Sequence, residues 1–187
     1  NIEFFNKKFN KCKIVLQNKP KGTADAVYST KKYVLKNSNI LILYGDVPLI
    51  KESSIKRLII RSKTSKNPRS ILVFNTKNPY GYGRVEVKGK KVIRVTEEFL
   101  ANEKVRKISL CNSGIMFCGY NFLFSNIKKI SNKNVKKEKL LTDLFEIANK
   151  ENKNFHFSLC SEYELQGINT RQEFVKVDEF MQNELKE

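Results

Sequence analysis

The chain has 187 residues, the size of one ordinary domain, and its hydrophobic fraction of 40% is sufficient for a real core. Its formal net charge is +17, from 36 basic residues, mostly lysines, against 19 acidic ones. No segment is long enough to cross a bilayer and the N-terminus lacks a signal-peptide pattern, so we predict a cytoplasmic location and no membrane partner. Because residue 1 is Asn rather than Met, we expect the chain to be processed, trimmed or incomplete.

The basic excess raises the question of a nucleic-acid partner, since strongly basic domains often bind polyanions. The lysines are spread along the whole chain, without an arginine-rich tract, zinc-finger spacing or RNP-like aromatic pattern. We therefore predict no specific nucleic-acid partner and keep non-specific polyanion affinity as a minor hypothesis. A positive field would also attract phosphorylated substrates.

The cysteines and the single histidine do not form a recognisable metal-binding pattern. No two cysteines form a CxxC pair, and His156 alternates with phenylalanines, which predicts that it faces outward on a strand. These features argue against a zinc site and favour free, buried thiols in a reducing compartment. The four cysteines are Cys12, Cys111, Cys118 and Cys160.

In the first part of the chain, the hydrophobic pattern predicts strands that alternate with helices. The predicted elements are the end of a helix at 2–12, a strand at 13–17, a helix at 23–35, a strand at 40–43, a helix at 52–62 and a strand at 70–75. This order favours a parallel sheet with right-handed crossovers. The apolar run 40–43 predicts a strand that is buried on both faces.

The remainder of the chain predicts a β-hairpin followed by a mixture of strands and helices. The hairpin strands are 82–87 and 91–96; then come a strand at 108–118 that is broken at 112–114, helices at 121–130 and 140–149, a strand at 155–159 and a last helix from about 170 to 185. Because there is no internal repeat and no long linker, residues 1–187 are interpreted as a single, N-terminally incomplete domain.

The stretch 39–50, NILILYGDVPLI, contains the first candidate for chemistry. Asp46 follows an apolar strand, and the carboxyl ends of such strands are where open α/β sheets bind ligands. Gly45 would let the backbone bend or a ligand come close. Asp46 is therefore a candidate ligand for a hard divalent cation, or alternatively a cap of the following helix. Alone, this stretch leaves both interpretations open.

Other short polar motifs lie at the ends of the predicted elements. A Gln side chain offers a donor and an acceptor that suit a nucleobase edge, and a Gly-Thr pair at a helix start offers N–H groups and a hydroxyl. Taken one at a time, each motif is better explained as a turn, a cap or a bulge. The motifs are Gln17, Gly22-Thr23, the loop NPYGYGR at 78–84, Glu97, Asn112, Thr142-Asp143 and GIN at 167–169.

The joint order of these motifs resembles the bacterial N-acetylglucosamine-1-phosphate uridyltransferase domain. The matching segments are LQ(x4)GTADAV, LYGDVPLI, NPYGYGRV, VTEE, NSGIMF, LLTD and GIN-x-R, from about Leu16 to Arg171. The resemblance places the chain in the sugar-phosphate nucleotidyltransferase group. It implies an α/β fold of the nucleotide-diphospho-sugar transferase type: a Rossmann-like mixed, mostly parallel sheet flanked by helices, with an inserted β-hairpin.

For the nucleotide, the resemblance implies five binding positions. Gln17, Gly22 and Thr23 would bind the uracil. Tyr44 and Gly45 would lie near the ribose and the phosphates. The implied nucleotide substrate is UTP, and the implied product, UDP-N-acetylglucosamine, is a precursor of peptidoglycan and lipopolysaccharide.

For catalysis, the resemblance implies that Asp46 and Asn169 hold Mg²⁺. The oxygen of a hexosamine 1-phosphate, N-acetylglucosamine 1-phosphate in the family, would attack the α-phosphate of UTP in line, and pyrophosphate would leave. The sugar-phosphate-binding positions would be Gly83, Glu97, Asn112 and Thr142.

The chain also departs from the family pattern. The family begins with a strand and a glycine-rich loop of the type LAAGxGTRMxSxxPK, and its bifunctional members carry an acetyltransferase domain; neither segment is found in these 187 residues. Phe99-Leu100 and Lys139-Leu140 replace a usual Lys-Asp pair and usual aromatic residues. The alternatives are a nucleotidyltransferase for a different sugar phosphate and a truncated relative that only binds nucleotide. A homo-oligomer is compatible with the sequence.

Overall fold

In the computed structural model, six strands form one mixed sheet with helices on both faces. The structure describes residues 12–17, 19–63, 68–165, 168 and 170–184. The strands are β1 (Asn39–Ile42), β2 (Arg69–Asn75), β3 (Arg84–Lys88), β4 (Lys91–Thr96), β5 (Leu110–Gly119) and β6 (Phe155–Leu159). The α-helices are α1 (Thr23–Ser29), α2 (Glu52–Lys63), α3 (Glu103–Arg106), α4 (Tyr120–Asn126), α5 (Asp143–Lys150) and α6 (Arg171–Glu184).

The strand order in the sheet is β1-β5-β2-β6-β4-β3. β5 is antiparallel to both β1 and β2, and β6 is parallel to β2. β4 is antiparallel to β6, and β3 is antiparallel to β4 and, at Arg84, to β5. β1, β2, β3 and β6 therefore point one way, and β4 and β5 point the other way. The predicted α/β class, mixed sheet and inserted hairpin are confirmed. β1 and β2 run in the same direction but do not pair, because β5 lies antiparallel between them; among the described strands, β2–β6 is the one parallel pair.

Two predictions for the start of the chain differ from the structure. Residues 13–17 were expected to be a strand, but they pair with no described strand. The helix expected at 23–35 ends at Ser29 and is followed by a 3-10 turn, Lys31–Tyr33. The hydroxyls of Ser29 and Thr30 bond the carbonyls of Ala26 and Val27, and such local bonds compete with helix propagation. The helix expected at 2–12 lies outside the described residues, apart from Cys12.

The sheet separates two apolar clusters. The larger cluster contains Ile71 and Val73 of β2 together with apolar residues of α1, α4 and α5. The smaller one contains Leu72 and Phe74 of β2 together with Leu58 of α2. Each fully buried side chain of this size contributes about 1.5–3 kcal/mol through burial. The alternation along β2 therefore fixes which helices lie on which face.

β1 is less buried than its apolar sequence predicted. Ile40 and Ile42 are only partly buried against the larger cluster, and Leu43 is 47% exposed. The reason is position, because in the described sheet β1 is an edge strand that pairs with β5 alone. Both faces of β1 contact a cluster, since Leu41 packs against the smaller one, but the strand is only partly buried and not fully buried as predicted.

β5 contains a bulge at the position where its sequence predicted a break. Ile71 pairs with Met116 and Val73 pairs with Asn112, so a step of two residues in β2 corresponds to a step of four in β5. Within the bulge, the buried Ser113 hydroxyl donates to Leu72 O (2.8 Å) and accepts from Ile115 N (3.0 Å). These bonds satisfy backbone groups that the interrupted ladder would leave unpaired.

The thiols are free, as predicted, although they are not all buried. Cys111 and Cys118 are buried, whereas Cys12 is exposed. Burial raises the pKa of Cys118 to about 12 and that of Cys111 to about 11, so both stay protonated at neutral pH.

No helix within the described ranges combines the length and the apolar character that a membrane span requires.

Candidate functional site

A cavity of about 380 Å³ lies at the carboxyl end of β1, next to the end of β2 and the bulge of β5. β1 and β4 both end near residues that line it, Tyr44 and Glu97, and the carboxyl ends of strands are where α/β sheets bind ligands. Five of the predicted site residues line the cavity together: Tyr44, Asp46, Gly83, Glu97 and Asn112. The structure therefore brings together residues that lie up to 68 positions apart in the chain.

Tyr44 is positioned by a glycine of the β5 bulge. Gly114 has a φ of +79°, and a Cβ atom there would lie 1.6 Å from Tyr44 Cε2, so the ring packs directly on bare backbone. Burial raises the pKa of the Tyr44 phenol, and the nearby Glu97 and Asp46 carboxylates raise it further. The phenol is therefore neutral and can donate a hydrogen bond at physiological pH. At Gly45 a Cβ would meet nothing within 4 Å, so a ligand could approach there.

The Asp46 side chain is exposed at the cavity, and in the described ranges no group donates a hydrogen bond to its carboxylate. Its backbone carbonyl accepts from Ile168 N at 2.9 Å, which places the chain just before Asn169 beside Asp46. Asn169 itself lies outside the described residues. The alternative of a helix cap is wrong, because α2 begins at Glu52, six residues later.

The glycine loop, residues 79–83, forms one wall of the cavity. Gly83 is packed so closely that a Cβ would lie 3.2 Å from Val95 Cγ1 and 3.4 Å from Glu97 Oε2. Its carbonyl accepts from Asn112 N at 2.8 Å, which ties the loop to β5. The Gly83 N–H has no acceptor within the part of the chain that the structure describes. It is therefore available to a ligand.

Glu97 and Asn112 add an acceptor and a donor to the same wall. The buried Thr142 hydroxyl donates to Glu97 Oε1 at 2.9 Å, which holds the carboxylate in place. Asn112 Oδ1 accepts from Gly114 N at 3.1 Å, and its amide nitrogen has no acceptor among the described residues. A carboxylate, an amide donor and a backbone N–H together suit a ligand rich in hydroxyl and amide groups. Thr142 thus reaches the site through Glu97.

The predicted uracil-binding residues do not line this cavity. Gln17 Nε2 donates to Asp25 Oδ2 at 2.8 Å and makes a longer contact of 3.4 Å with Gly22 O. The Thr23 hydroxyl accepts from Leu141 N at 2.9 Å. Their polar groups are therefore partly used within the protein, at the start of α1.

Position 22 requires a glycine for structural reasons, independently of any ligand. Its φ is +104°, and a Cβ there would lie 2.5 Å from Lys139 O, so only glycine allows the two backbones to approach. Ala24 N donates to Lys139 O, and Lys139 N donates to Lys21 O. This segment leads directly to Thr142, so the start of α1 and the cavity are connected by hydrogen bonds.

The sequence reasoning missed three residues that shape the cavity: Arg84, Glu98 and Gly114. Arg84 is 2% exposed, an unusual burial for an arginine, and is paired with Glu98. The sequence signal was present, since Arg84 ends the motif PYGYGR and Glu98 follows Glu97 directly. Neither pattern reveals that the two side chains meet, because Arg84 begins β3 and Glu98 begins the 3-10 turn that follows β4.

The groups at the cavity are compatible with the implied magnesium. No cluster of three or more His, Cys, Asp or Glu occurs among the residues that the structure describes. Mg²⁺ does not need such a cluster, because proteins often hold it with one or two carboxylates together with substrate phosphates. The exposed Asp46 carboxylate, without a described partner, fits this mode of binding.

Comparison with known proteins adds family relationships to this geometry. The family described as Nucleotidyl transferase matches residues 4–161. The Bifunctional protein GlmU of Thermosipho melanesiensis is 38% identical over 175 residues, which cover 93% of this chain and 38% of that relative. The Bifunctional protein GlmU of Buchnera aphidicola subsp. Schizaphis graminum is 41% identical over 138 residues, or 74% of this chain and 30% of that relative. The chain thus spans less than half the length of these curated relatives.

Solved structures share the fold at low sequence identity. The nucleoside-diphosphate-sugar pyrophosphorylase from Vibrio cholerae superposes with a TM-score of 0.69 at 17% identity, covering 94% of this chain and 74% of that one. A CMP:2-keto-3-deoxy-manno-octonic acid synthetase complexed with CTP superposes with a TM-score of 0.71 at 15% identity, covering 98% and 77%. Both similarities support the nucleotide-diphospho-sugar transferase fold.

Proposed function

The chain belongs to the nucleotidyl transferase family, and from that premise we propose that it contributes the catalytic cavity of a sugar-phosphate uridylyltransferase. The proposed reaction joins UTP and N-acetylglucosamine 1-phosphate to give UDP-N-acetylglucosamine and pyrophosphate. The family match supports nucleotidyl transfer, and the resemblance of the ordered motifs supports this substrate pair. We further propose that the enzyme works in the cytoplasm, where it supplies precursors of peptidoglycan and lipopolysaccharide.

The observation that supports the proposal best is the set of free polar groups around one cavity. The Asp46 carboxylate, the Gly83 N–H and the Asn112 side-chain nitrogen have no described partners, and Glu97 keeps one carboxylate oxygen available. Asp46 lies on the β1 side of the cavity and the other three lie on the hairpin and β5 side. This separation suits a site that binds phosphates at one side and a sugar at the other.

In the proposed reaction, the phosphate oxygen of the sugar phosphate attacks the α-phosphorus of UTP in line. The new P–O bond forms as the bond to the leaving pyrophosphate breaks. Such a step depends on positioning and on neutralisation of charge more than on proton transfer. The chain needs to orient two phosphorylated substrates, and no titratable side chain has to gain or lose a proton.

The sugar would be oriented by the hairpin wall. The Gly83 N–H would donate to the N-acetyl carbonyl, while Glu97 and Asn112 would bind the sugar hydroxyls. Thr142 would keep the Glu97 carboxylate in its orientation through the 2.9 Å bond. Tyr44, as a neutral phenol, would contact the nucleotide beside Asp46.

Asp46 and Asn169 would hold Mg²⁺. When bound, the ion offsets negative charge on the α-phosphate and the leaving pyrophosphate. A single carboxylate with a neutral amide would leave a net positive charge for that purpose. Ile168 N, bonded to Asp46 O, supports this assignment because residue 168 precedes Asn169 directly.

The test is synthesis of UDP-N-acetylglucosamine by the complete protein from UTP and the sugar phosphate, with and without Mg²⁺. We expect Mg²⁺-dependent product, and a fall of about 10²–10³-fold in kcat for Asp46→Asn without a change in thermal stability. Asp178→Asn, the same substitution at an exposed position of α6, should behave as wild type. A complete protein that forms no nucleotide sugar from UTP would contradict the proposal.

A different sugar phosphate is the second candidate, and one contact favours it. Phe99, two residues after Glu97, is covered by Lys136, whose Nζ lies 4.4 Å from the ring centroid. This places an aromatic–lysine pair where the family usually has a Lys-Asp pair. A panel of hexose and hexosamine 1-phosphates, ranked by kcat/KM, would decide between N-acetylglucosamine 1-phosphate and a different sugar phosphate.

A further inference from the structure

An ion pair lies directly behind the sugar side of the cavity. Arg84 Nη2 is 2.6 Å from Glu98 Oε2, with the side chains 2% and 20% exposed. Arg84 is among the largest fully buried side chains of the described chain. A buried guanidinium is costly unless an acid accompanies it, so the pair is a matched arrangement rather than a chance surface contact.

Both members of this pair also hold the glycine loop. Gly81 N donates to Glu98 Oε2 at 3.2 Å, and Arg84 Nη1 donates to Tyr82 O. Arg106 Nε lies 3.5 Å from the second Glu98 oxygen and fixes the carboxylate from the outside. The loop is therefore bound at two successive residues by one salt bridge.

The position of the pair in the sequence connects it to the cavity. Arg84 follows Gly83, and Glu98 follows Glu97. Gly83 and Glu97 line the cavity, and the residues that follow them in the chain, Arg84 and Glu98, form the ion pair. The distance between the Gly83 amide and the Glu97 carboxylate is thus set by a bridge that does not itself line the cavity.

We propose that Arg84 and Glu98 are positioning residues that hold the Gly83 N–H and the Glu97 carboxylate at the spacing required by the sugar phosphate. This inference rests on the proposed function only for the identity of the substrate. Arg84 lowers the pKa of the Glu98 carboxyl through a hydrogen bond and its charge, which is consistent with a permanent pair. Neither residue contacts the substrate.

A second arginine–glutamate salt bridge, between β4 of the same hairpin and α5, supplies the matched control. Arg94 Nη2 and Glu146 Oε2 are 2.9 Å apart, with side chains 49% and 35% exposed, and neither residue lines the cavity. Arg94→Gln therefore removes an arginine–glutamate pair from the hairpin without reaching the glycine loop. Glu98→Gln removes the charge of the proposed pair and preserves the shape of the side chain.

The first measurement is hydrogen exchange of the full-length protein, which is independent of activity. In Glu98→Gln we expect the Gly81 amide to exchange about tenfold faster. The side chain at position 98 that accepts its hydrogen bond loses its charge, and the hydrogen bond from Arg84 to Tyr82 O weakens. In Arg94→Gln the exchange at Gly81 should equal that of wild type. Wild-type protection of Gly81 in Glu98→Gln would overturn the proposal.

The second measurement separates positioning from a merely structural role. For Glu98→Gln we expect the KM for the sugar phosphate to rise about tenfold, because small misplacements of binding groups are costly, while the KM for UTP changes less than about twofold. A uniform fall in kcat with both KM values unchanged would mean fewer folded molecules and would contradict positioning. If wild-type protein forms no UDP-sugar, the proposed function fails, and the exchange experiment alone still decides whether the pair orders the loop.

Discussion

Two glycine-containing regions carry similar polar motifs but use them differently. At the cavity, Gly83 and Asn112 each keep a donor that has no described partner. At the start of α1, Gln17 and Thr23 are bonded within the protein, to Asp25 and to the backbone of Leu141. A glycine beside a polar residue can therefore mark either an available ligand site or a tightly packed backbone junction.

The difference lies in what surrounds each backbone. A Cβ at Gly22 would meet backbone atoms of Lys139, which cannot move independently of the fold. A Cβ at Gly114 would meet the ring of Tyr44, which is 39% exposed and can rotate away. Substitutions should thus damage stability in the first region and ligand binding in the second.

The largest effect is expected for Gly22→Ala. A backbone clash at 2.5 Å together with a φ of +104° should lower the free energy of unfolding by about 3 kcal/mol. Gly89→Ala is the control for a positive φ without a clash, because its φ of +58° lies in the milder left-handed region and nothing lies within 4 Å of the added Cβ. Urea denaturation measures both variants, and equal losses would mean that the α1 junction is not packed as described.

Gly114→Ala should be less destabilising and more harmful to binding. We expect a loss of about 1–2 kcal/mol from the φ of +79°, with Tyr44 displaced from its place beside Asp46. The KM for UTP should rise about tenfold, as estimated for a misplaced contact. Gly89→Ala again serves as control, and a normal KM in Gly114→Ala would show that Tyr44 does not touch the nucleotide.

A smaller loss of stability is expected when the hydrogen bond between Gln17 and Asp25 is removed. Removing either partner of the 2.8 Å bond should cost about 1 kcal/mol of stability. The double variant Gln17→Ala with Asp25→Ala should cost less than the sum of the two single variants, since both remove one interaction. Urea denaturation of the three variants gives the coupling; strict additivity would mean that the bond does not form in solution.

The smallest effect concerns acid pH. The Glu98 carboxyl has its pKa below the ordinary value of 4.5, because Arg84 and Gly81 bond the charged form. A lowered pKa stabilises the folded protein above the ordinary value, and this contribution disappears as the pH falls through the folded pKa. The stability difference between wild type and Glu98→Gln should therefore be constant at neutral pH and shrink below about pH 4.5. A difference that grows on acidification would contradict this sign.

Local signals in the sequence were sufficient for several elements. The hairpin, α2 and β6 were predicted because alternation and helical spacing are visible within a short window. The antiparallel insertion of β5 between β1 and β2 was not, since long-range pairing leaves no local pattern. The same reason explains β1, whose apolar residues indicated burial but not its position at the edge of the described sheet.

The site could also be predicted only in part, because motifs are visible in the sequence whereas contacts between distant residues are not. The motif order identified Tyr44, Asp46 and Gly83, and the fold brings them to one cavity with Glu97 and Asn112. The Arg84–Glu98 pair was not predicted, because nothing in the sequence shows that the last residue of PYGYGR meets the residue after Glu97. The nucleotide role of Gln17 stays a prediction, since its side chain lies away from this cavity.

The bulge of β5 has a consequence for how this fold can change. At the bulge, β5 contains two more residues than the paired segment of β2, so the residues on either side of the bulge keep facing the same clusters. Residues of the smaller cluster are Cys111, Ile115 and Phe117, and those of the larger cluster are Met116 and Cys118. An even insertion leaves the alternation intact, whereas a single residue would move every later side chain to the opposite face. Sequence length at this strand is therefore expected to vary in pairs of residues, which lets the cavity wall be remodelled while the core keeps its composition.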